Sequence, residues 1–380
     1  MNNISHYSST LAILAANVDR PYNVRQTTWG GRACFATKQL RKGDVVLRST
    51  DFTGKSIAYD FRKEVCHYCY GYTSGRNMKY RISADQFGRL MADTANILKK
   101  SNKFMGAGLW FCSDHCLETY LEMPNISYLI DGYEILLNHY RIASKELSID
   151  NEIELNSRKI SLDVIEEGWS QVKDSWIPKV EKMKKSKQLN MFPSISEDDY
   201  SCARFVTMTL FKLKQHSLDF DTKVEFNGLQ SNELDKIKKY PVLLHLQTSV
   251  FKILYILLPD ILKTHFSIEL FRHIAGSEYA NAFGLWQEDE GVDSREFLGY
   301  SVFPCASYAN HSCVPNITKS RHGREMIFTA NKDISEGAEI CIDCSGVLSL
   351  AVEKRRKFLK ETWFFDCCCG RCLLEMKTIH

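Results

Sequence analysis

The sequence predicts an α+β protein with strand-forming segments at both ends, around a cysteine-rich stretch and a long helical one. Residues 21–60 and 281–380 carry glycines, tight-turn signals and β-branched runs. Residues 121–280 have few glycines, Lys/Glu-rich faces and apolar residues three and four apart, the period of amphipathic helices. Most of the 14 cysteines fall in short-spaced groups.

At the front, W-G-G-R-A-C-F-A-T (Trp29 to Thr37) and R-K-G-D-V-V-L-R (Arg41 to Arg48) read as short strands, with a tight turn at Lys42-Gly43-Asp44. In the middle, the most apolar stretch is Pro241 to Leu262, interrupted by His245, Gln247, Lys252 and Asp260. Leu243, Leu246, Val250, Leu254 and Leu257 form a helical stripe, as expected of a buried helix and not of a membrane span. The cluster Lys182, Lys184, Lys185 and Lys187 fits a solvated helix end better than a nuclear signal. No internal repeat or low-complexity segment stands out.

A chain of 380 residues can bury a large core without help from disulfides. Its net charge of +3 lacks the basic excess of a dedicated nucleic-acid binder. The apolar run Leu11 to Ala16 has no basic residue ahead of it, unlike a secretory signal. The expectation is an intracellular protein, cytoplasmic or nuclear, monomeric and not bound to membranes, in which clustered thiols serve as metal ligands.

Cys66 and Cys69 form a C-x2-C pair, and Cys112 and Cys116 a second pair in F-C-S-D-H-C. Two such pairs can surround one zinc ion tetrahedrally and leave no position for water, which makes the site structural. Substitution of one ligand by His67 or His115 is the alternative. In the tail F-D-C-C-C-G-R-C, Cys367, Cys369 and Cys372 supply three ligands and need a fourth. Cys313 is the best candidate. Cys368 competes, but in an extended segment its side chain points away from those of its neighbours.

Around Cys313 the segment Asn310-His311-Ser312-Cys313-Val314-Pro315-Asn316 resembles the N-H-S-C-x-P-N signature of SET-domain methyltransferases. Asn281-Ala282-Phe283 resembles the family's N-x-F, the run from Gly299 to Pro304 its glycine-led strand, and Gly337-Ala338-Glu339-Ile340 its G-E-E-L turn. Gly31-Arg32-Ala33 stands where the G-x-G loop opens the domain, and Lys354-Arg355-Arg356 with the cysteine tail resembles the post-SET region. The SET-and-MYND subfamily is the closest pattern.

That resemblance implies a split SET domain of short β-sheets with a pseudoknot over 21–346 (its parts 21–60 and 281–346). A MYND-like zinc insert would occupy 61–120, a helical insertion 121–280, and a post-SET helix and cysteine tail 347–380. It also implies S-adenosylmethionine-dependent methylation of lysines on histone or other proteins, with two structural zinc ions. Asn310, His311, Gly31, Arg32, Ala33, Asn281 and Ser307 would line the cofactor site, and Phe365 would cover the adenine. The chain departs from the pattern in three places. Only four ligands of an eight-ligand MYND module are present, Ala33 replaces the second loop glycine, and Cys344 occupies the catalytic tyrosine's position. Tyr300 and Tyr308 read as core or groove tyrosines rather than stand-ins, and Tyr308 is the first to examine for that role. An adaptor with weak or no transfer activity is the rival reading, because a thiol does not reproduce a phenol's reach or hydrogen bonding.

Overall fold

The computed structural model describes residues 20–29, 31–50, 52–90, 104–146, 148–188, 192–214, 220–264, 266–288 and 295–378. The apolar run Leu11 to Ala16 lies outside them. Ten described strands form three small sheets: β1 (Tyr22–Gln26), β2 (Arg32–Ala36), β3 (Val45–Ser49), β4 (Gly54–Ile57), β5 (Ala282–Trp286), β6 (Phe297–Val302), β7 (Asn310–His311), β8 (Ile317–His322), β9 (Glu325–Ala330) and β10 (Glu339–Ile342). Their orders are β1-β2-β10-β7, β3-β9-β8 and β4-β6-β5. All pairings are antiparallel except that of β7 with β10. The turn before β3 forms as its residues dictate: Gly43 takes φ +95°, and the Asp44 carboxylate accepts the Arg41 N–H at 2.8 Å.

The helices that position the sites are α1 (Asp114–Leu121), α2 (Ile126–Ala143), α3 (Leu162–Gln171), α4 (Glu197–Lys214), α5 (Phe220–Asn227), α6 (Val242–Leu257), α7 (Ile268–Asn281), α8 (Val352–Trp363) and α9 (Gly370–Lys377). The chain divides into two compact units. The first holds β1–β3, β7–β10, α5, α8 and α9; the second holds Thr53–Leu218 and Gln230–Val302. Asp219–Leu229, within the helical stretch of the sequence, thus belongs to the first unit.

In the second unit α4 lies directly on β4: a Cβ at Gly54 would meet Thr209 Oγ1 at 2.3 Å and the Phe205 ring at 2.7 Å. Gly299 on β6 has φ +145°, and a Cβ there would stand 2.2 Å from the Ser56 carbonyl oxygen. The run expected to be helical from Pro241 forms α6 and then the short helix Asp260–Lys263. Val250 and Leu254 of the expected stripe are buried, but Leu243, Leu246 and Leu257 are only half-buried. Phe251 and Ile253 complete the buried face, because α6 packs against several neighbours at once. Phe251 meets Trp169 and Phe271 edge-on at 5.9 and 5.6 Å, a favoured aromatic geometry. Lys182, Lys184, Lys185 and Lys187 are exposed around the ends of two short helices.

Asp131 on α2 is buried, with no hydrogen-bond partner at Oδ1. Burial, then the neighbouring Glu134, pushes its carboxyl up to about 6. The folded state therefore holds this proton more tightly than the unfolded chain. Its stabilising contribution is present at low pH and is lost as pH rises through the folded value. Asp131→Asn is expected to raise stability at pH 8 by about 1–3 kcal/mol and to change little near pH 4. Urea unfolding of both proteins at the two pH values checks this; an equal gain at both would rule out ionisation as the cause.

Candidate cofactor site and metal centres

The first metal centre is built from two local motifs in the second unit. The C-H-Y-C turn closes through Tyr70 N–H to Cys66 O at 2.9 Å, with Tyr70 in the left-handed region at φ +62°. The second pair is set by a helix start: Ser113 caps α1, its hydroxyl accepting Cys116 N–H at 3.1 Å. Cys112 thus sits just before the helix and Cys116 in its first turn. The sulfurs of Cys66, Cys69, Cys112 and Cys116 all lie within 4.8 Å of one another. Cys69–Cys112 and Cys112–Cys116 are 3.6 and 3.5 Å apart. Zinc–sulfur bonds of about 2.3 Å give tetrahedral edges of about 3.8 Å, so the donor set fits the ion. The Cys66 thiol is pulled down to about 5, chiefly by the hydrogen bond from Cys69, against burial and with help from backbone N–H groups. His67 faces elsewhere, its Nδ1 accepting Trp110 N–H at 3.1 Å, and His115 is exposed on α1.

The second centre, in the first unit, gathers Cys313, Cys367, Cys369 and Cys372 within the same 4.8 Å limit. Cys313 lies 3.9 Å from Cys367 and 3.5 Å from Cys372. Cys368 is exposed and its thiol turns back to the Asp366 carbonyl at 3.4 Å, so Cys313 completes the set. Cys369 precedes α9, and Cys372 lies in its first turn. The buried Arg355 of α8 points a guanidinium N–H at Cys372 Sγ, 3.6 Å away, and bonds Glu375 at 2.7 Å.

This centre borders the N-H-S-C segment. The parallel pairing of β7 with β10 sets Asn310 beside Cys341 and His311 beside Ile342. Asn316 locks the crossing: its side chain donates to Glu339 O and accepts Cys341 N–H, both at 2.8 Å. His311 consequently spans two features. Its Nε2 is 3.5 Å from Cys313 Sγ, and its Nδ1 is 3.4 Å from both the backbone N and the thiol of Cys344. The Phe365 ring lies 5.8 Å from the imidazole. Burial lowers the His311 pKa, opposed by Asp343 at 3.8 Å, so the ring is neutral at pH 7. The Cys344 thiol is pushed up to about 11 by burial and is likewise neutral.

The other expected site residues lie in the first unit, except Asn281. Gly31 has φ +70° and open space where a Cβ would stand, whereas Ala33 is fully buried on β2. Arg32 and Tyr308 form one cluster: the guanidinium donates to the phenol oxygen at 3.3 Å, and the phenol donates to the Glu225 carbonyl at 2.7 Å. Ser307 donates to Phe303 O at 2.9 Å, and Asn310 donates to the Glu339 carboxylate at 3.0 Å. Asn281 is in the second unit, where its amide donates to Gln230 O and Ser277 O, both at 2.8 Å. Glu225 went unread in the sequence. It is buried on α5, its side chain paired with Arg20, and no local motif marks it. Asp343 and Glu339 were legible only as neighbours of Cys344 and the glycine turn.

Three small sheets, a strand crossing locked by an asparagine and two four-thiol centres define a split SET domain with zinc-binding modules. The chain belongs to the SET-domain family: the family model "SET domain" matches residues 31–345. A Saccharomyces cerevisiae protein described as "Potential protein lysine methyltransferase SET6" is 52% identical over 94% of this chain and 96% of its own length. Shorter matches run to a SET and MYND domain-containing protein of Dictyostelium discoideum and to human "Histone-lysine N-methyltransferase SMYD3". The former is 34% identical over 28% of this chain and 24% of that protein, the latter 35% identical over 21% and 18%. This homology groups the chain with the S-adenosylmethionine-dependent protein-lysine methyltransferases. Among the described residues, no helix is long and apolar enough to cross a membrane.

Proposed function

We propose that the protein transfers methyl groups from S-adenosylmethionine to the ε-amine of a lysine on a histone or another protein. It does so as a monomer in the nucleus or cytoplasm, with one structural zinc ion in each four-cysteine centre. The observation that carries this reading is the β7–β10 crossing, which brings His311 against Cys344, Phe365 and the tail centre. The surroundings fit the cofactor: Gly31 offers open backbone, and Asn310 and Glu339 add a polar edge in the same sheet.

S-adenosylmethionine, when bound, supplies an electrophilic methyl group on a sulfonium. The chain's own task is to hold that group and a neutral amine in line and to exclude water. Asn310 is held by Glu339, and the neutral His311 adds no positive charge to compete with a sulfonium. Gly31, Arg32 and Ala33 contribute the loop and first strand, Ser307 a further polar contact, and Phe365 a cover for the adenine. Cys344 takes the place from which the family's tyrosine would orient the amine; Tyr308 is the first other residue to examine for that role.

The test is labelling of cell extract with tritiated S-adenosylmethionine, with and without the purified protein, beside direct cofactor titration. New labelled bands support the enzyme. Tight binding without labelling favours the adaptor reading, for which the neutral thiol of Cys344 is the specific observation. Asn310→Ala is expected to weaken cofactor binding by about 1–3 kcal/mol, as for loss of a buried polar contact. Zinc content should not change. Unaltered affinity in the folded variant would move the cofactor site elsewhere.

A further inference from the structure

The second unit carries a groove that methyl transfer does not use. It spans about 720 Å³ and is lined by the run from α3 to Trp176, by α6, and by Leu155, Arg158, Lys159 and Ile160. Leu155, Ile160, Val164 and Leu244 give it an apolar floor. Its charged lining is of one sign: Arg158, Lys159 and Lys252 line it together with His245, and no carboxylate does, although Arg158 is itself paired with Glu154 at 2.7 Å just outside the lining.

Two features distinguish this groove from ordinary helix packing. Lys252 is half-buried, and its contact is with the Trp176 ring, 6.0 Å from the ammonium nitrogen; no carboxylate pairs with it among the described residues. A partly buried ammonium without a counter-ion is costly, and a carboxylate from a ligand would offset that cost through a charge-assisted hydrogen bond. Trp176 itself ends a π-helical turn, Val172–Trp176, in which the Ile177 N–H reaches back to Val172 O. Pro178 follows and has no N–H to continue the regular ladder. Wide turns of this kind are frequent at functional sites, and this one brings Ser175 and Trp176 to the groove.

We propose that this groove docks an acidic amphipathic helix of a partner protein. The apolar face of that helix lies on the floor, and its carboxylates pair with Lys252 and Lys159. An apolar groove with a basic edge matches this occupant in apolarity and charge. The proposal goes beyond the methyltransferase reading and does not depend on it.

The test uses the full chain and a fluorescent 14-residue peptide with Leu or Phe at helix positions i, i+3, i+4 and i+7 and Glu elsewhere. A control peptide carries Lys in place of Glu. Anisotropy should show binding of the acidic peptide only, weakened tenfold or more by Lys252→Glu, by Lys159→Glu and by Trp176→Ala, with zinc content unchanged. Lys252→Gln serves if the charge reversal does not fold, and should weaken binding at least threefold. Equal binding of the two peptides would overturn the proposal, as would indifference to Lys252→Gln. Direct binding of phosphatidylserine vesicles or single-stranded RNA, with no binding of the acidic peptide, would assign the basic lining to a different occupant and also overturn it.

Discussion

Elemental analysis of the purified protein is expected to find two zinc ions per chain, falling to one in Cys69→Ser and to one in Cys372→Ser. The two losses should have different consequences. In the second unit, the C-H-Y-C turn and the start of α1 are joined at this centre by four thiols, two from each motif. Structural zinc binding carries about 10–16 kcal/mol in small zinc domains at pH 7, and that free energy is coupled to folding. Cys69→Ser should therefore leave an aggregating protein with a broadened, lowered thermal transition. Cys372→Ser acts on a centre that Arg355 and Glu375 also tie together, so folding should survive better. Cofactor titration should still show weakened binding, because Cys313 touches His311, and Phe365 enters the tail two residues before Cys367. Four zinc ions per chain would require ligands beyond these eight cysteines, and none would refute the structural role.

Cys344→Tyr is expected to raise methyl transfer about 10²-fold, the lower end of what a positioned acid–base group contributes. Cofactor affinity should hardly move. Cys344 Sγ already lies 3.4 Å from His311 Nδ1, and its thiol, held neutral by burial, is a weak donor on a short side chain. A phenol at this position extends further and donates more strongly. Overpacking is the opposing effect, at about 1–3 kcal/mol of stability, so thermal melting belongs beside the activity measurement. A native enzyme that turns over quickly, and is slowed by Cys344→Tyr while staying folded, would transfer the role to another group. Tyr308 is then the next residue to change, although its hydroxyl is already engaged by Glu225 O and Arg32. Cofactor binding by both proteins with no labelling by either would establish the adaptor.

The features that the amino-acid order determined by itself are those whose geometry is closed within a few residues. A C-x2-C turn, a serine cap ahead of Cys116 and a Lys-Gly-Asp turn each form from local backbone preferences. Short strands at both ends and helices between them follow equally from periodicity. The N-H-S-C-x-P-N signature made the family legible because its residues are consecutive. Three-dimensional packing decided what depends on distant chain segments meeting. Cys313, and not Cys368, completes the tail centre across 54 residues from Cys367. His67 turns to Trp110 instead of the metal ligands. Glu225 reaches the Arg32–Tyr308 cluster because Asp219–Leu229 folds with the first unit, which no pattern around it foretells. Local preferences fix where a side chain leaves the backbone. Whether it meets a partner dozens of residues away depends on burial and steric fit, as where α4 closes on Gly54 with no room for a Cβ.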